Sequence, residues 1–427
     1  MTERYSFKLI WGDMALPELA CSFRLAVGPT KMILAFSAVL VVCTLGFIMD
    51  TCYKSVAARA QTTSTGIVIT RTELDVYLQG DLKQTKAFID ERTEDEPGQG
   101  VFGTLWAFVS GRFHDAVTQL LNLSDTNIFS NIRYAMVNIW VCVRAVGWAF
   151  RFHPIYSCLY FSIAFLVFVF AGGAISRCAA LEFAKAEKPG LFEVISYAAQ
   201  NYRSFLSAPL LPLGMVGIFA FVVIILGLLA AIPVAGELLM VLLFAFVLLF
   251  GFLVTLMTLG AIAGGILLFP SIAYERTTGL DSIGRAFSYV LSCPIWMVYY
   301  VLLSGILGAF FYLVLRLLIF LALQLTYTLL LAGLMIVQAE DKLERLWPKP
   351  DVLSFVHTAV QSQTWSESVS AFVIRLFMLG IIGLLLSYII SYFYSSATVV
   401  YALMRKKVDG ISTDQIYVHL EHVTGNE

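Results

Sequence analysis

The stretch "IWMVYYVLLSGILGAFFYLVLRLLIFLALQLTYTLLLAGLMIV", Ile295 to Val337, holds one charged side chain, Arg316, in more than 40 positions. As a continuous helix it would run about 65 Å at roughly 1.5 Å per residue, about twice the hydrocarbon thickness of a bilayer. It is too long for one ordinary span. Two antiparallel spans would need a turn near Arg316, and "YLVLRLLIFLAL" offers no Gly, Pro, Asn or Asp to make one. The expectation is one span ending near Arg316 at the outer interface, continued by an apolar segment that packs against the outer residues 51 to 153. An even number of extra crossings would leave the C-terminal orientation unchanged.

The whole chain has the same character. Hydrophobic residues make up 59% of it and charged residues 13%, against about 45–50% and about 25% in soluble domains. It reads as an all-α polytopic transmembrane bundle. The 28 basic and 29 acidic side chains nearly cancel, to a formal net charge of −1, so no basic surplus points to a nucleic-acid partner. Seven cysteines, Cys21, Cys43, Cys52, Cys142, Cys158, Cys178 and Cys293, have neither a CxxC pair nor metal-ligand spacing and read as apolar fillers. Cys52 and Cys142 are candidates for a disulfide on the outer side.

Six runs are long enough to span: Met32 to Met49, Ile155 to Ser176, Leu213 to Ile232, Leu238 to Leu268, Ile295 to about Leu315, and Leu376 to Met404. Basic residues then fix their direction. Arg4, Lys8, Arg24 and Lys31, then Arg177, Lys185, Lys188 and Arg203, then Arg276 and Arg285, then Arg405, Lys406 and Lys407 all fall on one side, whereas the "IPVAGE" turn at Ile232 to Glu237 has none. Both termini are therefore expected in the cytoplasm. The first run begins too late for a secretory signal, and "ARA" at Ala58 to Ala60 lies too far beyond it for cleavage, so it reads as a retained anchor.

The modules expected are a cytoplasmic arm (1–31), the first span (32–50), an extracytoplasmic helical module (51–153), a duplicated core of spans two to five (154–337), a second extracytoplasmic segment (338–370), the last span (371–404) and a cytoplasmic tail (405–427). Within 51–153, "TELDVYLQGDLKQTKAFIDERTEDEPGQG" looks helical until Pro97, and two amphipathic stretches follow. The second, "NIRYAMVNIWVCVRAVGWAF", sets Ile132, Met136, Ile139, Val143, Val146 and Phe150 on one helical face with Trp140 and Trp148 beside it. Such a helix lies in the headgroup layer or packs on the outer face of the bundle.

The core contains a repeat. "EKPGLFEVISYAAQ" and "RTTGLDSIGRAFSY" align Gly190 with Gly279, Leu191 with Leu280 and Val194 with Ile283, 89 residues apart. Each copy follows an outside-to-inside span and precedes a proline, Pro209 or Pro294, expected to open the next one. In the second copy Leu280, Ile283, Phe287 and Val290 or Leu291 recur at helical spacing, Thr278 and Asp281 form a capping-box pair, and Pro294 ends the helix. Both copies read as interfacial helices in parallel span–helix–span units.

"GGAISRCAALEFAKAEKPGLFEVISYAAQNYRSFLSAPLLPL", "IPVAGELL", "FPSIAYERTTGLDSIGRAFSYVLSCPIWMVYYVLL" and "SYFYSSATVVYALMRKKVDG" resemble a group of uncharacterised bacterial integral membrane proteins of planctomycete type. More loosely, the element P-x-I-x-x-E-x-x-x-G-x-x-x-I-x-R-A is similar to the membrane domain joined to some glycerophosphodiester phosphodiesterases. The resemblance covers roughly residues 154 to 410. It implies a bacterial cytoplasmic membrane protein and a fold, but no activity, and this chain carries no phosphodiesterase domain.

No G-x-S-x-G, HExxH or GxxxxGK[ST] pattern occurs. Of the histidines, His114, His153 and His357 stand alone, and His419 and His422 form only an HLEH in the tail. Asp50, Glu237, Arg316 and Arg375 fall at expected span ends, as interface anchors do. No catalytic, cofactor or metal site is read from these residues, and the chain is expected not to be an enzyme. The polar content within spans is small residues: Gly383, Ser387, Ser391 and Ser395 at every fourth position of the last span, and Gly260 and Gly264 in the fourth. Such stripes let helices approach closely, within this bundle or against another subunit or copy. The function that follows is a structural, assembly or accessory subunit binding membrane lipids and protein partners. The alternative is a transporter or channel for a lipid-like or weakly polar solute, with a midplane cavity lined by Ser387, Tyr388, Ser391, Tyr392, Thr255 and Thr258; a lipid hydrolase would need polar groups converging at one interface, and the sequence offers no such cluster.

Overall fold

In the computed structural model, residues 15–62, 68–80, 82–91, 98–121, 128–230, 232, 235–336, 340–351 and 364–417 are described. Among them the fold is 87% helical, with fourteen helices, seven of them long and apolar enough to cross a membrane. In chain order these elements are α1 (Leu16–Ala26), α2 (Pro29–Cys52), β1 (Ala58–Thr62), β2 (Val68–Thr72), α3 (Glu73–Leu78), α4 (Leu82–Asp90), α5 (Val101–Leu121), α6 (Ile128–Phe152), α7 (Pro154–Lys185), α8 (Leu191–Gln200), α9 (Tyr202–Ala230), α10 (Ala235–Glu275), α11 (Gly279–Ser292), α12 (Pro294–Ile336), α13 (Glu340–Leu346) and α14 (Trp365–Asp409).

The six expected runs correspond to α2, α7, α9, α10, α12 and α14. The seventh candidate is Arg133–Phe152 within α6, with the lowest mean hydropathy of the set, 1.2. The opening stretch forms one unbroken helix, α12, of 43 residues, with Arg316 buried in its middle. No turn forms there because nothing in the sequence breaks the backbone ladder. Helices α9 and α10 expose leucine, isoleucine and phenylalanine over most of their middle turns, the surface of a helix made to face hydrocarbon.

The chain divides into two units, and the division falls inside α2, α7, α12 and α14. The first comprises residues 1–38, 168–315 and 384–427. In it α9, α10 and α11 pack on one another, while Leu34, Ala35, Ala174, Ile175 and Ala198 form a small core. Both repeat copies have one local design. Helix α7 ends on a left-handed residue, Ala186 (φ 56°), and α10 on another, Arg276 (φ 54°); a short connector then leads into α8 or α11. Thr278 caps α11 as expected, its hydroxyl accepting from the Asp281 N–H at 3.3 Å and donating to the Asp281 carboxylate at 2.7 Å. Pro294 opens α12, but Pro209 does not open a helix. It lies inside α9, which begins at Tyr202 after a break at Asn201 alone.

The second unit comprises residues 39–167 and 316–383. The expected helical module contains an antiparallel hairpin before its helices, with Ala58 opposite Thr72 and Thr62 opposite Val68. Alternating Val68, Thr70 and Thr72 favour the extended backbone. Thr72 and Asp75 then make a capping box that starts α3. Asp50, at the end of α2, caps α5 from a distance: its carboxylate accepts the Phe102 N–H at 3.0 Å and the Gly103 N–H at 2.7 Å. Cys52 and Cys142 are both free thiols.

Candidate functional site

A helix leaves its last four carbonyls without intrahelical donors. At the end of α10 those of Ile272, Ala273 and Tyr274 accept from three different segments of the first unit, Ile272 in addition to the Arg276 N–H at 2.9 Å. The Tyr197 hydroxyl, from α8, donates to the Ile272 carbonyl at 2.8 Å. The Arg177 guanidinium, from α7, donates to the Ala273 carbonyl at 2.7 Å and to the Tyr417 carbonyl at 2.9 Å. The Tyr417 N–H reaches the Tyr274 carbonyl at 2.9 Å. Arg177 also stacks over the Tyr197 ring at 4.4 Å. One helix terminus thus ties α7, α8 and the tail together.

Beside it, Glu275 is the acidic centre of a second set of contacts. It pairs with Arg285 of α11 and with Arg405 of α14 at 3.1 Å, and accepts the Tyr401 hydroxyl at 2.7 Å. Tyr289 donates to Asp409. Burial pushes the Tyr197 hydroxyl up to about 12, with Arg177 and Arg276 pulling the other way; Tyr289 is raised by burial and by its bond to Asp409. For Arg285, burial disfavours the charge, yet Glu275 and the neighbouring tyrosines outweigh it and the net shift is upward. The P-x-I-x-x-E-x-x-x-G-x-x-x-I-x-R-A element therefore has a physical content here: Glu275 and Arg285 are ion-paired, and Gly279 lies where a Cβ would come within 2.1 Å of Ser207 Oγ and 3.0 Å of the Ala208 nitrogen.

A cavity of about 340 Å³ opens where α1 turns into α2. Phe23, Val27, Pro29 and Pro189 give it apolar walls, with Arg24 and Lys188 exposed at its rim. On its lining, Lys31 is fully buried and ion-paired with Glu182 of α7. Gly28 precedes the first turn of α2, its carbonyl accepting the Met32 N–H at 3.0 Å, so the positive end of that helix also faces this region. Three cations against one carboxylate leave the lining net positive.

The small-residue stripes are occupied inside the chain. The Phe287 ring lies over Gly260, and Ala286 sits against Gly264, so the glycine pair seats α11 on α10. Ser387, Ser391 and Ser395 are fully buried and Gly383 is buried; Ser391 donates to the Ala26 carbonyl at 2.7 Å. Tyr388 and Tyr392 pack with Ala26, and Tyr392 donates to the Ser304 carbonyl at 2.8 Å. Thr255 and Thr258 bond back to their own helix. Of the interfacial-helix residues, Val194 and Ile283 are buried, Leu191 packs on the α7 core, Phe287 is half-buried and Leu280 is exposed. In the second unit Trp140 is exposed, whereas Trp148 is fully buried with its ring edge-on to His153.

Also in the second unit, the structure brings Ser55, Glu73 and His153 within hydrogen-bonding distance. Their separation in the sequence carried no signal of this. Among the described residues no group of three or more His, Cys, Asp or Glu could hold a metal ion. His357, His419 and His422, and Pro233 and Val234 of the Ile232 to Glu237 turn, lie outside the described residues. No protein-family model, curated protein or solved structure matches the chain.

Proposed function

We propose that this chain is a multi-pass structural or accessory component of a bacterial cytoplasmic membrane, with six spans, both termini cytoplasmic, and anionic lipid headgroups and membrane subunits as its partners. The observation that carries the lipid part is the net-positive cavity beside Lys31, on the side that the basic loops assign to the cytoplasm. Apolar walls under a rim of Arg24 and Lys188 suit an amphiphile whose head is anionic. Six spans rather than seven keep all the basic loops on one side, and the three arginines of α6 suit an interface better than a bilayer centre.

A scaffold is favoured over a solute pathway because four of the six polar groups named for a midplane cavity, Thr255, Thr258, Ser391 and Tyr392, are engaged with their own helices or with neighbouring backbone. The test pairs two measurements on the purified full chain: co-purification from native membrane, and solute release from proteoliposomes. The scaffold reading expects a stoichiometric membrane partner and release no faster than from protein-free vesicles. Saturable release of a lipid-like solute would replace it with the transporter reading.

A further inference from the structure

In the second unit Ser55, His153 and Glu73 form a linear relay. Ser55 Oγ lies 3.0 Å from His153 Nδ1, and His153 Nε2 lies 2.6 Å from Glu73 Oε1. The other carboxylate oxygen of Glu73 accepts the Ala57 N–H at 3.2 Å, and the Glu73 N–H donates to the Ala57 carbonyl at 3.0 Å. Glu73 is fully buried and His153 nearly so, against the Trp148 ring. Ser55 is half-exposed and follows the exposed residues Thr51 to Lys54, three positions beyond the last residue of α2. The base and its carboxylate are thus fixed and shielded, while the hydroxyl sits where the chain leaves a membrane span.

We propose that Ser55 is a nucleophile, His153 its general base and Glu73 the residue that positions the imidazole, and that together they hydrolyse a carboxylic ester of a lipid at the membrane surface. The required roles are a hydroxyl within reach of a base, and a base oriented by a third group. With Nε2–H donated to Glu73, the Nδ1 lone pair faces the Ser55 hydroxyl; either ring nitrogen can serve provided the other is held this way. Ser55 Oγ bonds to the ester carbonyl carbon as its proton moves to His153 Nδ1. The carbon–oxygen bond to the alcohol breaks, and Nδ1 returns that proton to the departing alcohol. Water then attacks the acyl-serine, loses its proton to Nδ1, and the proton goes back to Ser55 Oγ as the acid leaves. No oxidant, reductant or metal is needed. The position just beyond a span selects esters presented at the bilayer surface. This activity is independent of the scaffold reading, which rests on the first unit.

The test uses the full chain in nanodiscs with a fluorophosphonate probe and a glycerol ester of a medium-chain acid. Expected are a covalent adduct on Ser55 identified by peptide mass spectrometry, none in Ser55→Ala, and labelling at least tenfold slower in His153→Gln. Glu73→Gln should lower kcat at least tenfold with KM within twofold, with kcat counted per folded molecule from the monodisperse fraction whose melting transition matches the wild type, so that loss of folded protein does not mimic the effect. If the His153 or Glu73 variants fail to fold, the wild type and Ser55→Ala decide alone, because the half-exposed serine tolerates loss of its hydroxyl. Folded wild-type protein that neither labels at Ser55 nor turns over the ester overturns the proposal, as does labelling in folded His153→Gln at the wild-type rate.

Discussion

Glu275 offers a quantitative test of how the first unit is held together. Its two arginine partners differ in environment: the Arg405 side chain is 10% exposed and the Arg285 side chain 40%. An ion pair to an exposed arginine contributes only about 0–1 kcal/mol, because water screens it. Removing one member of a buried pair costs about 3–5 kcal/mol, because the other charge is left desolvated and alone. Glu275→Gln keeps an acceptor for Tyr401 but takes the ion-pair partner from the buried Arg405, leaving it its bond to the Gln415 carbonyl at 2.6 Å, so it should cost about 3 kcal/mol, whereas Arg285→Ala should cost at most about 1 kcal/mol. The double variant Glu275→Gln/Arg405→Met removes both buried charges and should be more stable than Glu275→Gln alone. Equilibrium unfolding in one detergent, followed by tyrosine fluorescence, measures all three. Arg285→Ala as damaging as Glu275→Gln, or a double variant whose losses simply add, would refute this assignment.

Other outcomes follow from the same geometry. The hydroxyl of Tyr197 is neutral up to about 12 when folded, against 10.0 when free. Its contribution to stability is therefore whole below pH 10.0 and is lost as pH rises through about 12. Tyr197→Phe should flatten that alkaline loss in a melting series, while costing about 1 kcal/mol at neutral pH for the bond to Ile272. Gly279→Ala places a methyl against the Ala208 backbone nitrogen, which cannot rotate away as Ser207 can; a loss of about 1–3 kcal/mol in the same unfolding assay is expected. Ser391→Ala should cost only about 0.6 kcal/mol, the typical value of a hydrogen bond between membrane helices.

The hydrophobic runs were legible because lipid demands long uninterrupted apolar helices, and each of the six overlaps a helix in the structure. The lack of a breaker around Arg316 was legible too, but the expectation drawn from it was a span ending there with an apolar segment beyond, whereas the structure runs both as the single helix α12 with Arg316 buried. The short β1–β2 hairpin was not legible: five-residue strands bearing Arg59, Gln61 and Arg71 have too little apolar alternation to stand out. The polar clusters were hidden for a different reason. Arg177 and Tyr417 meet across 240 positions, and Ser55 and His153 across 98, so local periodicity says nothing of them. Glu275, Gly279 and Arg285 were visible as a motif, but its meaning came only with Arg405 and Ser207 brought alongside. Trp140 and Trp148 were expected together beside the apolar face of a helix lying in the headgroup layer or packed on the bundle; the structure exposes Trp140 and buries Trp148 against His153, a distinction set by tertiary packing.

The most direct test of the scaffold and lipid reading is native mass spectrometry of the full chain after reconstitution in an equimolar mixture of anionic and zwitterionic phospholipids. The wild type should retain anionic lipid preferentially, and Arg24→Glu/Lys188→Glu should lose that retention at least tenfold with an unchanged melting temperature. Equal retention of the two lipid classes by the wild type, or anionic retention untouched by the double charge reversal, would contradict the account.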